Sequence, residues 1–250
     1  MKKFALWCGL AALAGAAFCL REAAGWELTA SWPTPGPDPR GYCGDFAAYI
    51  VQDGISAYVY EGYWPTGSIR SSFPAPGGQG AWGLCRARGD GMYLSNNRTS
   101  WIYHINSTGS VYSSFRCPED GPADMELRWY TGVLYYLHVA IPGRNLIAVV
   151  NENTGSLVAT MPGPGSTPTG CGGEPPEFFV TDSGTHAMYE RGVVVISGIS
   201  TPLGFDYTAL TDGWVDNLFV VEDATDRIYW YRSESAFEPA SLGRVKALFR

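Results

Sequence analysis

The chain is poor in the residues that most catalytic chemistry needs. Its 250 residues hold three histidines, His104, His138 and His186. None belongs to a Ser-His-Asp order, a Gly-x-Ser-x-Gly elbow or a His-Glu-x-x-His helix, which argues against a triad hydrolase or a zinc hydrolase. His104 and His138 fall inside apolar strands and read as structural, whereas His186 follows the turn Ser183-Gly184-Thr185 and can face solvent. No pair of cysteines shows Cys-x-x-Cys spacing, so neither a thiolate metal site nor any other metal is expected. No motif implies a cofactor. Basic residues are scarce, 17 Lys and Arg against 24 Asp and Glu. Nucleic acid and anionic membrane surfaces, which need clustered positive charge, are therefore excluded as partners.

Only one long apolar run is present, Phe4 to Leu20. It follows Met1-Lys-Lys and leads through Arg21-Glu22 to Ala23-Ala24-Gly25, the pattern of a secretory signal peptide. Residues 1–25 are read as that signal, with cleavage after Gly25. The mature chain is then secreted, periplasmic or held in the cell envelope, with no membrane insertion after cleavage. Taking Lys2, Lys3, Arg21 and Glu22 from the charge count leaves a net charge of −9. Cys43, Cys85, Cys117 and Cys171 remain, and an even number in an exported chain argues for two disulfides. Of the three pairings, Cys85–Cys117 brackets one repeat, and Cys43–Cys171 joins two x-Cys-Gly contexts.

What the chain has is a repeat. Gly67-Ser-Ile-Arg-Ser-Ser-Phe73 returns as Gly109-Ser-Val-Tyr-Ser-Ser-Phe115 and, more weakly, at Trp26, Gly155 and Gly243. The third place is aliphatic and the seventh a large apolar residue, so the unit reads as a half-buried strand of period two. A spacing in the forties with several short strands per repeat is a signature of propeller blades. The second repeat gives the template: Ala81 to Arg88, Met92 to Asn96, Trp101 to Ile105 and Gly109 to Phe115. The first and fourth repeats, Asp45 to Phe73 and Glu177 to Ser197, do not yield four clear strands. Pro33 to Gly41, Pro74 to Gly80, Pro118 to Pro122 and Pro162 to Pro176 read as linkers between blades. The expectation is an all-β β-propeller over residues 26–250, a single domain of five blades of about four antiparallel strands. Arg244 to Phe249 is its last outer strand, and the Trp26 unit adds to the closure.

The Gly89-Asp90-Gly91 reversal, the strand Ile102-Tyr-His-Ile105 and the Gly-Ser-Val-x-x-Ser-Phe unit together resemble secreted bacterial β-propeller repeats of the broad NHL, streptogramin-lyase-like and glutaminyl-cyclase-like group. The resemblance covers nearly all of residues 26–250 and implies the propeller fold. That group holds both enzymes and binding scaffolds, and no stretch here matches the lyase active-site motifs residue by residue, so no catalytic role is carried over.

Asp45, Asp124, Glu174 or Glu177, and Asp206 fall just before or at the starts of first strands, where a closed ring would bring them to its axis. Glycosidic cleavage uses two such carboxyl groups, but turn-capping of backbone N–H groups explains the same placement. Trp64 and Trp214 lie in or beside turns, where aromatic faces can stack on a ligand. The first reading is a non-enzymatic module that binds a glycan or protein ligand through Trp64, Trp214 and His186. The alternatives are a glycan-active hydrolase or lyase using Asp45, Asp124 and Glu177, and a structural component of the cell envelope.

Overall fold

The computed structural model describes residues 26–44, 48–63, 66–89, 91–129, 135–173, 178–209 and 215–234. Apart from a single 3-10 turn at Pro142–Arg144, its regular elements are strands. Strand β1 spans Glu27–Pro33. Four groups of four follow. The first is β2 (Pro39–Gly44), β3 (Ala48–Asp53), β4 (Tyr58–Tyr63) and β5 (Ser68–Pro74); the second is β6 (Ala81–Arg86), β7 (Gly91–Asn96), β8 (Trp101–Asn106) and β9 (Val111–Arg116). The third is β10 (Met125–Trp129), β11 (Tyr135–Ile141), β12 (Leu146–Asn151) and β13 (Leu157–Pro162), and the fourth is β14 (Pro168–Gly172), β15 (Phe179–Asp182), β16 (Ala187–Glu190) and β17 (Val193–Ser197). The last strands are β18 (Pro202–Ala209), β19 (Val215–Glu222) and β20 (Arg227–Glu234).

Each group forms one antiparallel sheet in chain order, and β1 completes a further sheet of order β1-β20-β19-β18. Its register, Trp32 opposite Ile228, joins the N-terminal strand to the end of the repeat array. The outer place beside β20, expected for Arg244 to Phe249, is thus taken by β1; residues 244–249 lie outside the described residues, as does the signal segment 1–25. The first strands lie against one another in succession, β2 on β6, β6 on β10, β10 on β14, β14 on β18 and β18 on β2. Apolar clusters fill the gaps between neighbouring sheets. Val59 and Phe73 meet Met92 and Leu94, Ile102 meets Leu137 and Val139, and Trp32 and Tyr42 meet Phe219 and Ile228. This face-to-face packing of sheets around a common centre makes the fold a β-propeller.

Glycine sits where that centre is tightest. A Cβ at Gly41 would stand 2.7 Å from the Trp82 carbonyl oxygen, and one at Gly204 would stand 2.6 Å from that of Arg40. Neighbouring backbones therefore touch without side chains between them. Pro39-Arg-Gly41, Pro168-Thr-Gly170 and Pro202-Leu-Gly204 are one motif, and each carries a register shift in its strand pairing. Such bulges bend a strand sharply. The segments Pro33 to Gly41 and Pro162 to Pro176, expected to be linkers, hold the start of β2 and the whole of β14. The first and fourth repeats accordingly do contain four strands each.

The repeated seven-residue unit forms the outer strands β5, β9 and β13, and its two end positions explain each other. Gly155 has φ of +69°, and a Cβ there would lie 2.6 Å from the Phe115 ring of the preceding sheet. Gly109, with φ of +83°, stands in the same way against Phe73. The seventh-place aromatic of one repeat thus lies beneath the first-place glycine of the next. The third place does not behave as expected, since Ile69 is 53% exposed, Val111 48% and Leu157 43%. An outermost strand has only one neighbour, and only its seventh place reaches the next sheet.

None of the four cysteines forms a disulfide, although all are buried. Cys85 is on β6 and Cys117 follows β9, at opposite edges of one sheet. Three strand spacings of about 4.8 Å separate those edges, beyond the reach of a disulfide. Cys43 and Cys171 are on β2 and β14, which are not neighbours among the first strands. Both expected pairings are therefore corrected.

Candidate functional site

Antiparallel order gives the molecule two faces. The turns after the second strand of each sheet, and the connectors to the next sheet, lie on one; the turns after the first and third strands lie on the other. On the connector face, a polar residue ending a second strand closes the following turn. Asp53 accepts the Ser56 N–H at 2.6 Å, Asn96 that of Thr99 at 2.9 Å and Asp182 that of Thr185 at 2.8 Å. Asp53 and Asp182 also take N–H groups from the incoming connectors, at Asp38 and Thr167. These buried acids serve the backbone.

Asp124 does the same at the axis. It stands where four other sheets have Gly41, Gly83, Gly170 and Gly204, is fully buried, and accepts the Leu84 N–H at 3.1 Å. Its own N–H donates to the Thr169 carbonyl. Asp124 therefore links β6, β10 and the segment at β14. Asp45, Glu174, Glu177, Trp64 and Trp214 lie outside the described residues. His186 is the left-handed residue of the turn after β15, with φ of +55°, and its Nδ1 meets the Ser200 carbonyl oxygen. Among the described residues, no three His, Cys, Asp or Glu side chains are grouped to hold a metal ion.

On the opposite face, a cleft of about 390 Å³ opens between the second and third sheets. Its wall is built from a row across three strands, because Tyr93 lies opposite His104 and His104 opposite Ser113. Cross-strand neighbours on one sheet face stand side by side. The His104 ring stacks on Tyr93 at 4.8 Å between centroids, and Tyr112 meets it edge-on at 5.2 Å. The His104 Nε2 is buried with no hydrogen-bond partner among the described residues.

The floor comes from the turn joining β12 and β13. Asn151 fixes that turn by accepting the N–H groups of Asn153 and Thr154, both at 3.0 Å. Glu152 is thereby directed inward, where it is 8% exposed. The Tyr93 hydroxyl donates to Glu152 Oε2 at 3.2 Å. Burial first, and then the adjacent Glu152 carboxylate, push the Tyr93 hydroxyl well above its ordinary range, so it remains a donor at neutral pH. Arg88 Nη1 stands 3.9 Å from Glu152 Oε1, too far for a hydrogen bond, because the guanidinium lies over the Tyr135 ring at 4.4 Å.

Neither Glu152 nor this role of His104 emerged from the sequence. A signal was present, however. The turn Asn106-Ser-Thr-Gly109 of the second repeat becomes Asn151-Glu-Asn-Thr-Gly155 in the third. The third turn is one residue longer than the second and as long as Tyr63-Trp-Pro-Thr-Gly67 of the first, and Glu152 is the acidic residue it gains.

The fold is shared with a solved structure of glutaminyl cyclase from Myxococcus xanthus, which is 11% identical with a TM-score of 0.63 over 84% of this chain and 97% of that one. Virginiamycin B lyase from Staphylococcus aureus is 14% identical, with a TM-score of 0.48 over 82% of this chain and 73% of that one. The WD40 propeller domain of Doa1 is 12% identical, with a TM-score of 0.49 over 80% and 64%. The likeness is one of fold. No family model and no curated protein matches the chain.

Proposed function

We propose that this chain is an exported five-bladed β-propeller, its five sheets being the blades, and that it binds a small polar ligand without transforming it, in the cleft between the second and third blades. One observation carries the reading. Glu152, Tyr93 and His104 are polar side chains held in a largely buried wall, yet one carboxylate oxygen is left with no close donor among the described residues. Buried polar groups in a fold are ordinarily saturated, so an unsaturated set around an open cleft suits a ligand. The glutaminyl cyclase that shares the fold is an enzyme, so the glycan-active alternative is kept as the second reading. Against it stands Asp124, whose burial and backbone partner suit a structural carboxylate better than a catalytic one.

The test is a binding screen of the purified protein against a glycan array and a panel of small metabolites, with reducing-sugar release followed in parallel. Binding without release, lost in both Glu152→Gln and Tyr93→Phe, is expected. Binding that survives both substitutions, release of sugar, or silence throughout would each overturn the proposal.

A further inference from the structure

The cleft presents two opposite charges that do not complete one another. Glu152 Oε1 and Arg88 Nη1 are 3.9 Å apart, close enough to attract and too far to share a proton. The carboxylate is fixed by its turn and by the Tyr93 hydroxyl. The guanidinium is laid on Tyr135 and remains half exposed, with donors to spare. A neutral ligand would leave this pair as it is, and a ligand of one sign would meet attraction from one group and repulsion from the other.

A ligand that carries both signs side by side meets neither difficulty. In an α-amino acid the ammonium nitrogen and the carboxylate carbon are separated by two bonds, about 2.5 Å, with the oxygens one bond further out. Laid across the protein pair, its ammonium faces Glu152 Oε1 and its carboxylate faces Arg88. The four charges then alternate around a square, each with two opposite neighbours. Both new contacts are charge-assisted, and a guanidinium suits a carboxylate in geometry as well as charge. The rest of the cleft fits the remainder of such a molecule. Phe115 and the half-buried His104 ring offer apolar surface to a side chain, and Ser113, Ser114 and Thr154 offer hydroxyls in the lining.

We infer that the ligand of this cleft is a zwitterionic α-amino acid, bound through Glu152 and Arg88, with an apolar or aromatic side chain lying against Phe115. The inference rests on the cleft being the ligand site and adds the ligand's chemical class.

It is tested by calorimetry on the purified protein with L-leucine and L-phenylalanine, their N-acetyl and amide derivatives, and a neutral oligosaccharide. Chemical shifts of the Arg88 side chain and of Ser113 and Asn153 amides report whether the cleft is the place of binding. Binding of a free amino acid is expected, weakened at least about tenfold by removing either ligand charge or by Glu152→Gln or Arg88→Gln. Arg88 is half exposed, so its variant keeps the fold even if the Glu152 variant does not. Equal affinity for the derivatives, or oligosaccharide binding that shifts the cleft signals, overturns the ligand class and leaves the cleft standing. If no probe shifts those signals, both the class and the cleft fall.

Discussion

Substitution of Asp124 separates a structural carboxylate from a catalytic one. In the protein this side chain has no contact with water and accepts the Leu84 N–H at 3.1 Å. Asp124→Ala leaves a buried donor without its charged acceptor, a loss of roughly 1.5–3 kcal/mol. Removing the charge also relieves its desolvation, which places the net effect at the low end of that range. Asp124→Asn keeps an oxygen in place and forfeits only the charge assistance, about half as much. For a chain of this size 1 kcal/mol moves Tm by roughly 2–4 °C. The Ala variant should therefore melt about 3–6 °C below wild type, with Asn between them. Urea unfolding followed by tryptophan fluorescence should show the same order in midpoint at constant slope. An Ala variant as stable as wild type would refute the reasoning. So would an Asn variant of full stability that had lost a measured turnover, because Asp124 would then be acting on a substrate.

Three further outcomes follow from the same geometry. Gly155→Ala forces a Cβ to within 2.6 Å of the Phe115 ring at a φ of +69°, and should cost about 1–3 kcal/mol, part of it recovered when Phe115→Leu is added; strictly additive losses would separate the two positions. Burial, followed by the Arg128 guanidinium, holds His138 down at about 3 against an ordinary 6.5. The folded state thus favours the neutral ring, so this contribution is whole above pH 6.5 and is lost as the pH falls toward 3, amounting to about 2–3 kcal/mol at pH 4.5. His138→Gln should flatten the fall in stability between pH 6.5 and 4.5, and an unchanged slope would assign it to other groups. Burial pushes the Cys117 thiol up to about 11 and that of Cys171 well above its ordinary value. Cys43, Cys85, Cys117 and Cys171 should all resist thiol reagents at pH 8 until the chain is unfolded, and reductant should leave the unfolding midpoint alone; a midpoint lowered by reductant would restore the disulfides.

The outer strands were the legible part of the sequence, and the reason lies in their packing. Gly109 and Phe115 recur because each first-place glycine has to admit the preceding repeat's seventh residue and turn the chain at positive φ. The third-place aliphatics suggested a buried face that an edge strand does not have. Two first strands, β2 and β14, were missed for the opposite reason, while β6 and β10 were read where they lie. Pro168-Thr-Gly-Cys-Gly172 has the composition of a linker, yet it is a strand, since backbones that touch at the axis tolerate no Cβ. The four cysteines invited pairing by count, but the edges of one sheet are too far apart for Cys85 and Cys117. Composition carries no distances, and these errors came from the places where distance decides.

The same packing accounts for where a site can form. At Gly41, Gly83 and Gly204 the axis has no room even for a methyl group, and Asp124, at the corresponding place of the third sheet, is committed to the Leu84 N–H. Among the described residues, the carboxylate of Asp124 at a first-strand start is spent on the backbone, and those of Asp53 and Asp182 at the ends of second strands are occupied by turns and connectors. Every position that all the repeats share has a duty to the ring. The turns after third strands differ in residue and length from sheet to sheet, so chemistry free of that duty can come from them. The turn after β12 is one residue longer than the turn after β8, and the added length carries Glu152 inward to Tyr93 and within 3.9 Å of Arg88. In this repeat fold the guide to the ligand is the residue at that turn, Glu152 where the first repeat has Trp64 and the shorter second turn has Ser107.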